Sequence, residues 1–383
     1  MEANRLPQKF EEYADARKAG FLKVKQIKEQ GGLVAGTFCT FTPVEVLDAA
    51  NIHSVSLCGM SEETIPDAER ELPKNLCPLI KSSYGFAVSD KCPYTYFADI
   101  IIGETTCDGK KKMYEMLGEL KEMYVLQLPQ GIDRGYSKEL WKKELELFVK
   151  FIEERFSLEI TEEQLRGSAD RYNRLRAAKC RLMELQKLDP PPMGGFSLYK
   201  YLEGTGFTFD VETTIKAIDE YVAKIQAEYE KEKPDTADKK RILISGCPIG
   251  GAIEKVTSAV EENDGIVVCF ENCGGIKPMR FQVDTGAEDI IGAIAEEYLS
   301  IGCAVMSPNK RREETMPELV KEFKVDGVID VVLQACHPYS VESRAMKKLC
   351  NDNETPYLML ETDYSKSDGG QIDTRIAAFI ETL

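Results

Sequence analysis

The sequence predicts an α/β protein with two similar doubly wound parallel-sheet (Rossmann-like) lobes joined by a helical region. Short β-branched segments alternate with amphipathic segments of helical length near both ends of the 383-residue chain, which is the pattern of parallel βαβ units. A charged stretch with helical periodicity separates the two ends. We therefore expect an N-terminal lobe at residues 1–137, a helical connector at 138–240 and a C-terminal lobe at 241–383.

The N-terminal lobe is predicted from segments in alternating order. Each strand candidate is a short β-branched run, and each helix candidate repeats its apolar residues at spacings of three and four. The strand candidates are GLVAGTFC, HSVSLC, FADIIIGETTC and MYVLQLP, and the helix candidates are PVEVLDAAN and KKKMYEMLGEL.

The connector contains two long charged segments with helical periodicity, LWKKELELFVKFIEERF and TEEQLRGSADRYNRLRAAKCRLMELQKL. The polar segment EKEKPDTADKK is expected to link the connector to the next lobe.

The C-terminal lobe repeats the alternation of the first lobe. Two pairs of segments correspond closely, GTFCTFTPVEVL with SGCPIGGAIEKV and ADIIIGETTCDGKKKMYE with DGVIDVVLQACHPYSVES. The strand candidates are RILISGC, GIVVCFENC, CAVMSP, DGVIDVVLQAC and PYLMLETD, and the helix candidates are AIEKVTSAVEEN, EDIIGAIAEEYLSIG, MPELVKEFKV, VESRAMKKLCND and IDTRIAAFIETL.

The composition is that of a globular protein, with a hydrophobic share of 43% and a charged share of 30%. A net charge of −16 argues against sequence-independent binding to nucleic acid or to an anionic membrane, because both need lysine and arginine to neutralise phosphate. The initial segment MEANRLPQKFEEYADARKAGF lacks an apolar core, and no later segment reaches the roughly 20 apolar residues that span a bilayer. We expect a cytoplasmic protein that forms a homodimer.

The segment YFADIIIGETTCDGKKKMYE begins like a phosphate-binding loop but lacks two of its parts. A P-loop places four residues between its first glycine and the Gly-Lys pair, and Ser or Thr follows the pair. Here five residues separate Gly103 from Gly109, and Lys111 stands where the magnesium-binding hydroxyl should be. We therefore reject a P-loop, which leaves Cys107 at the carboxyl end of a strand, where open α/β sheets bind ligands.

Twelve cysteines are many for a reducing compartment, and half of them follow predicted strands. The carboxyl ends of the strands in a doubly wound fold meet at one crevice, so two facing lobes would direct these cysteines into one cavity. Cys180 and Cys350 lie within predicted helices and are expected to be inert, and Cys269 is expected to point into the sheet. The cysteines at strand ends are Cys39, Cys58, Cys107, Cys247, Cys273 and Cys336.

These thiols indicate an iron–sulfur cluster. The sequence has no Cys-X-X-Cys motif, which removes thioredoxin-like chemistry and the common zinc ribbons. His53 and His337 are the only histidines, which are too few for histidine-rich zinc or non-haem iron sites. Soft thiolate ligands therefore favour a cluster of iron and sulfide.

Seven segments together resemble the 2-hydroxyacyl-CoA dehydratase family, and the resemblance covers nearly the whole chain. Within that family the chain is most similar to the single-subunit branch, the double-cubane cluster proteins. The segments are GTFCTFTPVEVLDAA, NLCPLIKSSYGF, GETTCDGKKKMYE, ISGCPIGGAIEKV, ENCGG, LQACHPYSVES and LETDYS.

The resemblance implies a set of cluster ligands. Members of the wider family hold a four-iron cluster with three cysteines, whose motifs fall on Cys77, Cys107 and Cys336. The double-cubane branch binds two cubanes that share one sulfide, an 8Fe-9S cluster, through six cysteines, whereas two separate cubanes need eight. The additional ligands are expected to be Cys39, Cys247 and Cys273, with Cys58, Cys92 and Cys303 as alternatives.

The resemblance also implies an activity and a partner. The chain would be the catalytic component of an ATP-dependent low-potential reductase for small molecules, and a separate ATP-hydrolysing iron–sulfur activator would supply its electrons. His337 is the expected proton donor because histidine titrates near neutral pH. The residues expected to surround the cluster are Lys81, Ser82 and Ser83, with Gly250, Gly251, Gly274 and Gly275 letting the backbone approach it.

Two other functions fit the sequence. One is a 2-hydroxyacyl-CoA dehydratase subunit, a lyase, with a single four-iron cluster on Cys77, Cys107 and Cys336; it would need a paralogous second subunit. The other is a non-catalytic iron–sulfur carrier or redox sensor, which should expose its cluster rather than enclose it between two lobes. The surplus of strand-end cysteines favours the reductase, whose substrate is not indicated because the sequence has no recognisable coenzyme A fingerprint.

Overall fold

The structure, a computed structural model, describes residues 15–383, with side chains from Gly20 onward. Most of the charged initial segment, on which the expected cytoplasmic location partly rests, lies outside the described residues. None of the helices in the described part of the chain combines the length and apolarity that a membrane span requires.

Two four-stranded sheets form the two lobes. The N-terminal sheet consists of β1 (Leu33–Thr37), β2 (Ile52–Ser56), β3 (Ile100–Glu104) and β4 (Met123–Leu126). The C-terminal sheet consists of β5 (Lys240–Gly246), β6 (Gly265–Glu271), β7 (Gly327–Leu333) and β8 (Tyr357–Thr362). All neighbouring strands are parallel, and the orders β2-β1-β3-β4 and β6-β5-β7-β8 are equivalent. The predicted fold class, two similar parallel α/β lobes, is confirmed.

Helices cover the sheets and form the middle of the chain. The N-terminal lobe contains α1 (Asp15–Glu29), α2 (Val44–Ala49), α3 (Ile65–Ala68), α4 (Pro78–Val88), α5 (Pro93–Phe97) and α6 (Asp108–Leu117). The middle contains α7 (Ser137–Phe156), α8 (Glu162–Glu184), α9 (Gly195–Gly204) and α10 (Val211–Lys231). The C-terminal lobe contains α11 (Ile253–Glu262), α12 (Ile290–Leu299), α13 (Lys310–Glu322), α14 (His337–Asp352) and α15 (Gly369–Ile380).

The middle helices contact both lobes. Helix α7 packs against β4 and α12, and α8 packs against α2 and α12. Helix α8 begins with a capping box: the Thr161 hydroxyl accepts the backbone N–H of Gln164, and the Gln164 side-chain oxygen accepts the backbone N–H of Thr161. Farther along, Arg171 pairs with Asp48 of α2, while Arg166 donates to the carbonyl oxygens of residues 285, 287 and 288 in the C-terminal lobe. Helix α8 therefore connects the two lobes directly.

One strand prediction was wrong. The segment CAVMSP forms turns between α12 and α13 rather than a strand. Its backbone N–H groups bond locally instead of to a strand: Cys303 donates to the Ile301 carbonyl oxygen and Met306 to the Cys303 carbonyl oxygen, both at 2.9 Å. The backbone N–H of Ser307 donates to the carbonyl oxygen of Gln130, 2.7 Å away, in the loop after β4. The segment therefore joins the C-terminal lobe to the loop that leaves the N-terminal sheet.

A buried arginine ties together the strands of the C-terminal sheet. The Arg312 side chain from α13 is fully buried and donates to Ser245 on β5 at 2.7 Å. It also donates to Glu271 on β6 and to Asp330 on β7, both at 3.2 Å, and to Glu342 on α14. These four residues precede or follow the cysteines at the ends of the same elements, so the network fixes where those cysteines lie.

We expect Arg312→Met to destabilise the protein by about 3–5 kcal/mol, because it leaves the buried carboxylates without their shared cation. The matched control is Arg311→Met, since Arg311 is half exposed and makes only a surface pair with Glu314; its effect should stay within about 0.5 kcal/mol. Urea unfolding of both variants measures the difference. Equal effects of the two substitutions would contradict a structural role for the network.

Candidate functional site

A cavity of about 1300 Å³ lies between the two lobes and the middle helices. The turns after β1 and β2 contribute Cys39 and Cys58, and the turn after β6 contributes Cys273. Helices α8 and α9 form another wall. The carboxyl ends of strands from both sheets therefore meet here, as the doubly wound topology predicts.

A first cysteine group, defined by Cys77, Cys107, Cys247 and Cys336, joins the two lobes. Side-chain contacts between thiols link Cys77 to Cys336 and Cys336 to Cys247. The Cys247 sulfur accepts the backbone N–H of Leu333 at 3.1 Å. Cys107 lies near enough to Cys77 that a charge on Cys77 raises its pKa. Cys107 and Cys336 thus lie on the same side of the molecule, as the arrangement of facing lobes requires.

Three members of this group stand at helix N-termini. Cys77, Cys107 and Cys336 immediately precede α4, α6 and α14. The free N–H groups and the dipole of a helix N-terminus favour negative charge, and they also favour the thiolate form of cysteine. Three helices of the two lobes therefore direct their positive ends toward one set of thiols.

Without a cation, three thiols of this group, those of Cys77, Cys107 and Cys336, favour their protonated forms. The hydrogen bond to Cys336, followed by burial, raises the pKa of Cys77 well above its ordinary value. The hydrogen bond to Cys247 likewise raises the pKa of Cys336, and burial raises that of Cys107. Metal binding would displace these protons, because a metal ion coordinates the thiolate.

A second cysteine group consists of Cys39, Cys58, Cys273 and Cys303. Burial raises the pKa of Cys39 well above its ordinary value and that of Cys273 to about 11, and charges on Cys273 and Cys303 act on Cys39 in the same direction. Cys58 donates to the carbonyl oxygen of Phe38 at 3.2 Å. These thiols come from the turns after β1, β2 and β6 and from the segment after α12.

Two buried lysines supply positive charge to the second group. Lys110 lowers the pKa of Cys39 and of Cys273, and its ammonium donates to the Phe38 carbonyl oxygen at 2.7 Å. Lys277 also lowers the pKa of Cys273. The Lys277 ammonium donates to the Tyr339 hydroxyl at 2.9 Å, and that hydroxyl lies 3.8 Å from the Cys303 sulfur. The ammonium groups of two lysines therefore favour negative charge on the second group.

Several buried donors beside the cysteines lack a hydrogen-bond partner within the described residues. Each stands in sequence next to a candidate ligand or acts electrostatically on one, so each could donate to a cluster sulfur. They were not predicted from the sequence, although a hydroxyl or amide directly beside a candidate cysteine is a usable signal. They are Thr40 Oγ1, Thr106 Oγ1, Asn272 Nδ2 and Tyr364 Oη, the last lying near Cys58, Cys77 and Cys247.

This chemistry fits an iron–sulfur cluster better than a single metal ion. Between residues 15 and 383, no three Cys, His, Asp or Glu side chains converge on one ion position. A cluster instead takes each thiolate at a different iron, so its ligands need not converge on one point. Soft donors, helix N-termini, buried cations and unpaired hydrogen-bond donors are the features that would hold such an anionic group.

Other residues singled out in the sequence have structural partners. The Lys81 ammonium donates to Glu69 and to the Lys74 carbonyl oxygen, both at 2.8 Å. The Ser82 hydroxyl accepts the N–H of Ser61 at 3.1 Å. The Ser83 hydroxyl accepts the N–H of Gly59 and donates to the Leu79 carbonyl oxygen. His337 is exposed at the start of α14 and does not line the cavity.

The four glycines that were predicted to let the backbone approach a cluster instead allow close contacts within the protein. A Cβ at Gly250 would collide with the Met60 sulfur, and one at Gly251 with the Met60 carbonyl oxygen. These two glycines therefore let the loop after β2 cross onto the C-terminal lobe beside the cavity. A Cβ at Gly274 would meet the Tyr199 ring, and one at Gly275 the Phe270 carbonyl oxygen.

The remaining cysteines lie in different surroundings. Cys269 is fully buried within β6, as expected. Cys350 is buried in α14, and Cys180 in α8 donates to the Met279 carbonyl oxygen at 3.4 Å. Cys92 precedes α5, accepts the N–H of Thr95 at 3.4 Å and lines the cavity.

A buried carboxyl, Glu104, stands at the end of β3 beside the second cysteine group. Its Oε1 accepts the Thr42 hydroxyl, and its Oε2 has no partner in the described part of the chain. Burial raises the pKa of Glu104 from 4.5 to about 8, against the opposing effects of Thr42 and Lys110. The carboxyl therefore keeps its proton to a higher pH than a free glutamate does, and it lies close to Cys39, whose pKa it raises.

Glu104 should make the iron-free protein less stable as the pH rises. Between pH 4.5 and about 8 the folded chain holds a proton on Glu104 that the unfolded chain has lost, so the free energy of unfolding falls across this window. Glu104→Gln removes the titration, and the variant should gain stability over the wild type as the pH increases. Urea unfolding across the window measures this gain. Parallel curves, like those expected for the exposed control Glu115→Gln, would contradict it.

Comparison with known proteins supports the resemblance. The model of the family described as 2-hydroxyglutaryl-CoA dehydratase, D-component, matches residues 39–383. YjiM of Escherichia coli strain K12, provisionally named a dehydratase subunit, is 49% identical over 99% of this chain and 98% of its own. The (R)-phenyllactyl-CoA dehydratase beta subunit of Clostridium sporogenes is 23% identical over 94% of each chain. A benzoyl-CoA reductase subunit of Thauera aromatica is 19% identical over 86% of this chain and 84% of its own.

The family match covers both cysteine groups and all but the start of the N-terminal lobe. The relatives named above include both dehydratases and a reductase, so they support an enzymatic role without separating the two classes. The chain belongs to the 2-hydroxyglutaryl-CoA dehydratase D-component family.

Proposed function

We propose that the chain is the catalytic component of an ATP-dependent low-potential reductase for small molecules and that it holds an 8Fe-9S double cubane. The observation that carries this proposal is the pair of cysteine groups: the first joins the two lobes, and the second contributes Cys39, Cys58 and Cys273 to the cavity wall. A single four-iron cluster would use only the first group and would leave the second without a role.

Each cubane would take three thiolates, and a shared sulfide would complete both. One cubane would be held by Cys77, Cys107 and Cys336. The other would use Cys39 and Cys273 of the second group together with Cys247 of the first. Tyr364 lies near both Cys247 and Cys58, so the two groups adjoin on this side. Cys303 or Cys58 could replace a member of the second set, because both belong to the same cysteine group.

When bound, the cluster would supply electrons of low potential to a substrate in the cavity. The chain's own residues would hold it in place: helix N-termini face the first group, and Lys110 and Lys277 face the second. The Tyr364 hydroxyl could donate to a sulfur near Cys77. Glu104 can hold or release a proton near Cys39 at a pH close to 8.

The energy source would be a separate ATP-hydrolysing iron–sulfur activator, because the lysines of GETTCDGKKK are not arranged to bind phosphate. The Lys110 ammonium is buried and donates to the Phe38 carbonyl oxygen. Lys111 pairs with Asp108 at 2.7 Å, and Lys112 pairs with Glu115 at 2.8 Å. The expected homodimer and cytoplasmic location stay predictions.

A dehydratase subunit with one four-iron cluster is the second candidate. The 49% identity to a chain with a dehydratase name favours it, as does the first cysteine group taken alone. A cluster carrier is a weaker candidate, because every cysteine of the two groups is buried or half-buried rather than exposed.

The iron content of anoxically purified protein separates these functions. We expect about eight irons per chain, and Cys107→Ser should lower this count because a harder oxygen replaces a soft thiolate. The control Cys180→Ser should keep all the iron. About four irons in the wild type would favour the dehydratase, and a colourless, iron-free chain that is fully folded would defeat both cluster proposals.

Two further serine variants test the number of ligands. Cys58→Ser and Cys303→Ser should each keep about eight irons if the cubanes share a sulfide and need only six thiolates. Loss of iron from both variants would instead indicate eight ligands and two separate cubanes. Iron and acid-labile sulfide are measured together on each preparation.

Electron delivery should require the activator. With ATP and a reduced activator, the visible absorption of the cluster should bleach, and with ATP and reductant alone it should not. The chain by itself should show no magnesium-dependent ATP hydrolysis, since it lacks the P-loop length and hydroxyl. Tight, magnesium-dependent hydrolysis by the purified chain would contradict this division of labour.

A further inference from the structure

One lysine in the cavity lacks a partner among the described residues. Lys179 on α8 lines the cavity and is half-buried, and it makes no hydrogen bond or ion pair with any part of the chain that the structure describes. The other cations that line the cavity do have partners: Lys91 pairs with Glu63 and Asp67, Lys110 with the Phe38 carbonyl oxygen, Arg176 with Glu45, and Lys200 with Glu203.

Lys179 stands on the face of α8 that the cavity exposes. Tyr172, Leu175, Arg176 and Lys179 are spaced by three and four residues, which places them on one side of a helix. The Arg176 guanidinium donates to Glu45 at 2.8 Å, in the helix that follows the Cys39 turn. Lys179 is about one helical turn farther along, so it lies on the wall that leads to Cys39.

Among the described residues, no acidic group compensates the Lys179 charge. Burial, with a further contribution from the positive charge of Arg176, lowers the pKa of Lys179 to about 8. A half-buried ammonium without a counter-ion is costly, and an anionic ligand would remove that cost. A cation in a large cavity that has no counter-ion among the described residues is therefore suited to bind an anionic ligand.

We propose that Lys179 binds the negatively charged group of the substrate, a carboxylate or a phosphate, and so anchors it in the cavity. This inference rests on the proposed function, because it assigns a substrate class to the same cavity. The rest of the ligand would be organic, since Leu175, Phe196 and Phe281 add apolar surface to the lining. The anion could be the carboxylate of a small acid or a phosphate of a coenzyme A thioester.

Trace acetylation of the full-length, cluster-bearing protein tests the proposal at a single residue. Acetylation of Lys179 is measured by mass spectrometry at pH 7.5 with lactate, with inorganic phosphate and with coenzyme A as separate probes. At least one probe should slow acetylation of Lys179 several-fold in a saturable way. The control is Lys216, an exposed residue of α10 that makes only a surface pair, whose acetylation should not change.

Substitutions separate charge from packing. Calorimetry with the probe that protects Lys179 should show at least about tenfold weaker binding to Lys179→Met, since a charge-assisted contact is lost. Lys179→Arg should keep most of the affinity, and so should Lys216→Met. Protection by lactate would assign a carboxylate, and protection by phosphate or coenzyme A alone would assign a phosphate.

The proposal is overturned if none of the three probes protects Lys179, or if Lys179→Met binds the protecting probe as tightly as the wild type. Iron content is measured on the same preparations. A chain that binds iron but no anion at Lys179 would refute the anchor and leave the reductase proposal standing. A chain that binds the anion at Lys179 but no iron would refute the reductase proposal and leave the anion site standing.

Discussion

The buried guanidinium of Arg312 is the interaction on which the C-terminal half of the site depends. It reaches β5, β6, β7 and α14 through Ser245, Glu271, Asp330 and Glu342. Those elements carry the candidate ligands of this lobe, so their positions are linked through one cation. Charges buried this deeply are stable only as a complete set, which makes the network sensitive to the loss of any member. Helix α8 extends the constraint to the N-terminal lobe through Arg171 and Asp48.

The two cysteine groups are prepared for negative charge by different physical means. The first group has helix N-termini, whose partial charges lie in the backbone. The second has the ammonium groups of Lys110 and Lys277, which carry full charges in a buried environment. Lys277 also contacts Glu271 at 3.1 Å, and Glu271 contacts Arg312. The charge that faces Cys273 is therefore set by the same network that positions the strands.

Cysteines line one part of the cavity and cations of α8 line another. Cys39, Cys58 and Cys273 line it at the carboxyl ends of the strands, and α8 presents Arg176 and Lys179 from the side. Arg176 holds α8 against α2, the helix that follows the Cys39 turn. Lys179 has no partner among the described residues and is the proposed anion site. A substrate anchored in this way would extend toward the cysteines along apolar side chains.

The sequence by itself determined the fold class, and strand-end position singled out five of the six candidate ligands, all but Cys77. Hydrophobic periodicity fixes which segments become strands, and parallel topology brings their carboxyl ends together, so cysteines after strands could be assigned to one crevice. Only the tertiary structure decided how the thiols divide into two groups, because contacts such as that between Cys77 and Cys336 join residues far apart in sequence. It also decided that His337 is exposed and that CAVMSP is a turn. The role of Lys179 follows from the lack of a counter-ion among the described residues, which depends on neighbours that chain folding alone supplies.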